Sequence, residues 1–195
     1  MEQVFEIFSS LLKERFSKKI YTTEDTIRYN FFYALTHAPP FVPSDIIVEH
    51  PHPGISGAKI DTYIPPSESH AGYAFEFKFD RAIPSEKNSP RTQKAGKVFA
   101  DLFRLTRFSS DPKIKKIFIY VSDGEMTSYF LNPANHFTEF FMLKPGTSFV
   151  IDDRFFNKHA ATFVNSAGKF TPCNVLSLRS ENLPNAMSLR IYQVT

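Results

Sequence analysis

Asp61, Glu76 and Lys78 are the residues of this chain whose types and spacing could do chemistry. Asp61 lies in the run Ile60-Asp61-Thr62-Tyr63-Ile64, and Glu76 and Lys78 in the run Tyr73-Ala74-Phe75-Glu76-Phe77-Lys78-Phe79. In the second run Tyr73, Phe75, Phe77 and Phe79 alternate strictly with smaller or charged residues. A β-strand there buries the aromatic row and presents Glu76 and Lys78 together on its other face. Two like-facing positions on a strand lie roughly 6 to 7 Å apart. That spacing lets a carboxylate hold a metal while the ammonium reaches a nucleophile beside it, and Asp61 joins them if the two strands pair. Carboxylates suit hard divalent cations such as Mg²⁺ or Mn²⁺, which neutralise developing charge and lower the pKa of a bound water. A lysine serves as a compact positive charge or, deprotonated, as a base.

The elements that must carry these residues read as a mixed α/β order. Residues 2 to 19 form an amphipathic helix, with Phe5, Phe8, Leu12 and Phe16 at spacings of three and four. A second helix starts at a Thr22 or Thr23 cap, carries Glu24 and Asp25 at its positive end, and buries Ile27, Phe31 and Leu35 before Pro39-Pro40 ends it. Glu24 falls on that same row. Residues 45–49, 59–64 and 72–79 are predicted strands in a meander, separated by loops with Gly and Pro. Ser89-Pro90 opens a helix to about Phe108 with Ala95, Val98, Phe99, Leu102 and Leu105 inward. The run from Ile114 to Val121 is a buried strand, expected to lie parallel to the strand at 72–79 after a right-handed crossover. Beyond Gly124, short helices near 133–142 and 153–166 and strands near 173–178 and 187–194 are expected.

At 195 residues, 42% hydrophobic and 22% charged, the chain fits one domain with a full core, spanning 1–195 with a central part at about 20–121 and a C-terminal elaboration at 122–195. The lone Cys173 excludes an intramolecular disulfide and a cysteine-based zinc cluster. No apolar run approaches the roughly 20 residues of a membrane span, and no basic leader opens the chain, so a soluble cytoplasmic protein is expected. The net charge of +3 is uneven: ten basic residues against three acids make Arg81 to Lys116 +7, and the remainder −4. Lys94, Lys97, Arg104 and Arg107 lie off the apolar stripe of their helix and are expected to meet the phosphate backbone of a nucleic acid. His50 and His52 read as solvent-exposed loop residues and Asp123 as a turn residue. No nucleophile elbow, Walker-type loop or dinucleotide fingerprint occurs.

Asp61, fourteen intervening residues, then Glu76-Phe77-Lys78 and a helix containing Gln93 resemble the PD-(D/E)XK nuclease superfamily. Ile60 stands where the Pro of the motif's name would be. The resemblance implies a restriction-endonuclease-like fold, a central mixed β-sheet flanked by helices in the order αβββαβ, and Mg²⁺- or Mn²⁺-dependent cleavage of DNA in restriction, phage defence or repair. It implies Asp61 and Glu76 as metal ligands, Lys78 as the charge that positions or activates water, and Glu24 and Gln93 as auxiliary residues. Lys94 is a rival to Gln93. DNA is then the expected partner, with a homodimer one option for assembly; the alternative is a non-catalytic nucleic-acid or protein-binding module on the same fold.

Overall fold

The structure, a computed structural model, describes residues 1–82, 89–109 and 111–195. Glu86 and Lys87 of the basic segment lie outside the described residues.

Among the described residues seven strands form one mixed sheet: β1 Ile47–Pro51, β2 Lys59–Ile64, β3 Gly72–Asp80, β4 Ile114–Ser122, β5 Ser148–Ile151, β6 Cys173–Leu183 and β7 Met187–Val194. Their order is β1-β2-β3-β4-β7-β6-β5. Strands β3 and β4 run parallel, joined by helix α3 Arg91–Thr106, and the other neighbours are antiparallel. Helices α1 Glu2–Ser17 and α2 Glu24–Thr36 cover one face, and α3 covers the other with the smaller helices α4 Gly124–Leu131, α5 Thr138–Phe141, α6 Asp153–Phe156 and α7 Ala161–Ala167. Among the described residues no helix is long and apolar enough to cross a membrane.

The alternation in β3 becomes two different interfaces. Its odd positions Tyr73, Phe75 and Phe77 join the core under α1 and α2, where the Phe31 ring sits 4.9 Å from Phe75 and 5.3 Å from Phe77 between centroids. Aromatic contacts at such distances add to area burial. Its even positions Ala74, Glu76, Lys78 and Asp80 turn to the α3 side. Helix α2 begins where its cap dictates: the Thr23 hydroxyl accepts from Thr26 N, and Glu24 is the first helical residue. In α3 the cap position falls to Pro90 instead of Ser89.

The C-terminal third departs from the expected pattern. Asp123 is the N-cap of α4, its Oδ1 accepting from Met126 N and its Oδ2 from Ala82 N, so the expected turn residue starts a helix. The predicted helix at 153–166 is two, α6 and α7, broken where the His159 ring stacks on Phe137 at 4.1 Å and packs against Phe155 and Phe163. Strand β5, absent from the sequence reading, pairs with β6.

Candidate active site

Strands β2 and β3 pair through Thr62↔Phe75, Tyr63↔Ala74 and Ile64↔Tyr73, and then part. Beyond Phe75, β3 continues to Asp80 with β4 on one side only. Its other edge exposes backbone N–H groups that need acceptors. Phe77 N donates to Asp61 Oδ2 at 2.8 Å, and Phe79 N donates to Glu24 Oε2 at 2.9 Å. Orphan donors of one strand edge thus bring a carboxylate from β2 and another from the first turn of α2 to the same opening.

On the α3 side of β3 the charged residues face a matching ladder. Helix α3 returns antiparallel to β3, and the seven steps from Lys94 to Asp101 rise about 10.5 Å, close to the roughly 10 Å of three strand steps. Lys94 Nζ donates to Arg81 O at 3.0 Å. Lys78 Nζ lies 3.8 Å from both Asp101 Oδ2 and Glu24 Oε2. The Arg104 guanidinium forks onto Glu76, Nε to Oε1 at 2.7 Å and Nη2 to Oε2 at 2.8 Å, while Nη2 also reaches Asp101 Oδ1 at 2.9 Å. Tyr120 donates its hydroxyl to Asp80 Oδ2 at 3.0 Å. On the α2 side, Arg28 Nη2 donates to Asp61 Oδ1 at 2.9 Å, and Nη1 lies 3.7 Å from Asp25 and 3.8 Å from Glu49.

Burial sets the protonation equilibria. Glu76, 1% exposed, has its carboxyl pushed well above the usual range by burial, against which the Arg104 fork acts. Burial likewise lifts Asp80 and Asp101 to about 6. For Lys78 burial pulls downward, but the surrounding carboxylates of Asp101, Glu24, Asp80 and Asp61 together hold the ammonium above its ordinary range. This arrangement favours the ammonium form of Lys78.

The structure therefore sets Asp61 and Glu24 along one edge of β3, puts Lys78 beside Glu24, and links Lys78 to Glu76 through Asp101 and Arg104. Gln93 is half-buried in the first turn of α3, and no hydrogen bond joins it to the described residues of the cluster; Lys94, its rival, faces the far end of β3. The four residues expected to face phosphate have different surroundings. Arg104 turns inward because Glu76 and Asp101 would otherwise be buried charges without a fork of donors, and Lys94 is held by a carbonyl. Arg107 Nε donates back to Phe103 O, and Lys97 alone of the four is exposed. His52 is also corrected: it is buried, its Nε2–H donating to Arg104 O at 2.9 Å and its Nδ1 accepting from Gly54 N at 3.0 Å, which defines the neutral Nε2–H tautomer. Arg28, Asp80, Asp101 and Tyr120 escaped the sequence reading as site residues. The available signal was spacing: Arg28 lies one turn after Glu24, and Asp101 and Arg104 lie seven and ten residues after Lys94 on the polar side of α3. Among the described residues, no group of three or more His, Cys, Asp or Glu side chains is gathered as a ready-made metal site.

The chain matches no model of a known protein family, no curated protein and no solved structure.

Proposed function

We propose that the chain is a divalent-metal-dependent nuclease that hydrolyses phosphodiester bonds in DNA, of PD-(D/E)XK type, with α2, β1, β2, β3, α3 and β4 as its restriction-endonuclease-like core. The observation that supports this reading is that Asp61 and Glu24 hold the edge of β3 where β2 parts from it, with Lys78 beside Glu24 and Glu76 on the same face of β3 as Lys78. Carboxylate oxygens are the ligand type a hard cation takes, and with two of them from the chain the rest of the shell would be water and substrate. Each oxygen of Asp61 and Glu76 accepts one of the hydrogen bonds described above, which leaves lone pairs for a metal. Asp61 and Glu76 would hold Mg²⁺ or Mn²⁺, which when bound supplies charge neutralisation and a more acidic water. Lys78 presents its ammonium to the scissile phosphate. Glu24 holds both the β3 edge and Lys78, and Arg104 keeps Glu76 an oriented acceptor on both oxygens.

A second reading, a non-catalytic binding module, is favoured by that same fork: a guanidinium already satisfies Glu76, so the cluster can serve as an internal ion network. Plasmid cleavage with Mg²⁺, Mn²⁺ or EDTA separates the two. The nuclease reading expects metal-dependent cleavage that Asp61→Ala and Glu76→Ala each abolish, with Lys78→Ala losing turnover while metal binding is largely retained. Full activity in Asp61→Ala sinks the assignment. DNA binding without cleavage under every metal condition selects the second reading.

A further inference from the structure

On the α1 and α2 face, next to the carboxylates, lies a cleft of about 440 Å³ walled by Phe16, Ile20, Tyr21 and Phe79 and rimmed by Lys19 and Arg81. Three observations give it a ligand class. Tyr21 is 68% exposed, a large aromatic ring left in water beside other aromatic walls. The Arg81 guanidinium sits 4.2 Å from the Tyr21 ring centroid, and none of the described residues lining the cleft is acidic. Phe79 belongs to both places, for its ring lines the cleft while its N–H is held by Glu24. A ligand suited to these walls is flat and polarisable and carries negative charge at its rim. Bases stacked on aromatic side chains, with Lys and Arg tracking the backbone, have that chemistry.

We propose that this cleft takes an unpaired nucleobase of a single-stranded nucleic acid, its ring against Tyr21 and its phosphate toward Lys19 and Arg81, beside the carboxylate site. The inference rests on the reading of that site as one that meets a phosphodiester, and it names the strand form presented there.

The test measures binding, not cleavage, using wild-type protein in EDTA at fixed salt. A labelled oligothymidylate is compared with an abasic oligonucleotide of the same length, which keeps the phosphates and lacks the bases. The wild type should prefer the base-bearing strand by roughly 5- to 100-fold, the range of one stacked base. Tyr21→Ala should erase the preference and Tyr21→Phe should keep it; the exposure of Tyr21 leaves the fold intact in both. Equal affinity of the wild type for the two strands overturns the proposal. So does a Tyr21→Ala loss that is the same for both strands, or a loss of self-association in place of base-dependent binding, which would seat a second copy in the cleft. If metal-dependent cleavage is absent but the base preference and its Tyr21 dependence hold, the nuclease reading falls and the cleft stands.

Discussion

Glu76 is buried at 1% exposure, where burial disfavours its ionised form and the Arg104 guanidinium, bonded to both of its oxygens, favours it. Removing one partner of such a pair leaves a buried charge and costs about 3 to 5 kcal/mol, whereas replacing both with neutral groups is often nearly neutral. Arg104→Met is therefore expected to lose about 3 kcal/mol of stability at pH 8. The loss shrinks as the pH is lowered to 5.5, because burial favours the protonated carboxyl and a protonated Glu76 needs no counter-charge, and adding Glu76→Gln restores most of it. Urea denaturation of the wild type, the single variant and the double variant at the two pH values measures this. An Arg104→Met loss that is independent of pH and unrelieved by Glu76→Gln would place the role of Arg104 in packing alone. The same fork makes Arg104 a competitor for any cation that Glu76 binds.

Helix α3 is the element that ties the two ends of the molecule together. One side holds the charge ladder along β3, and the other packs so closely on α7 that Gly96 has no room for a side chain. A Cβ there would sit 2.5 Å from Ser166 Cβ and 2.7 Å from Phe163 O. Alanine gains about 1 kcal/mol of helix propensity over glycine, but overpacking costs typically about 1 to 3 kcal/mol. The backbone oxygen of Phe163 cannot rotate away as a side chain can, so the cost wins. Gly96→Ala is expected to destabilise the protein by about 1 kcal/mol in chemical denaturation, with α7 the first region to lose protection in hydrogen exchange. A stabilised Gly96→Ala protein would mean that α3 and α7 are further apart.

For the whole molecule, the buried Asp101 and the half-buried His159 contribute to acid stability with opposite signs. Asp101, lifted to about 6 chiefly by burial, binds its proton more tightly in the folded chain than in the unfolded one. Its contribution is therefore favourable at low pH and declines as pH rises from about 4 to about 6. His159, lowered to about 4 chiefly by burial, has the opposite sign: its contribution is present above about 6.5 and is lost as pH falls toward about 4. Each spans about 1.4 kcal/mol per pH unit within its window. Asp101→Asn should thus gain about 1 to 2 kcal/mol relative to the wild type between pH 5 and pH 7.5, and His159→Phe should lose a similar amount relative to the wild type over that same rise. Denaturation of the three proteins at the two pH values reads both differences, and parallel pH profiles for all three would count against these buried ionisations.

Strand β3 was legible because alternation is a local property. Tyr73, Phe75 and Phe77 mark one apolar face wherever the strand is placed, and Glu76 and Lys78 must then share the other. The same holds for α1, for the Thr23 start of α2 and for the stripe of α3, each set by neighbours within a few residues. The meander also brought Asp61 near Glu76, since consecutive antiparallel strands need only short loops. The destination of the charges was not legible. Arg104 lies off the apolar stripe on a helical wheel, which ordinarily means solvent, but the polar side of α3 docks on a charged strand face and its guanidinium is drawn to a buried carboxylate. Arg28 meeting Asp61, and His52 buried against Arg104 O, depend in the same way on how separate elements dock. So does the break between α6 and α7, which turns His159 onto Phe137. Local periodicity specifies which face of an element is apolar; which acid meets which base depends on distances between elements remote in the chain, and those are set by packing.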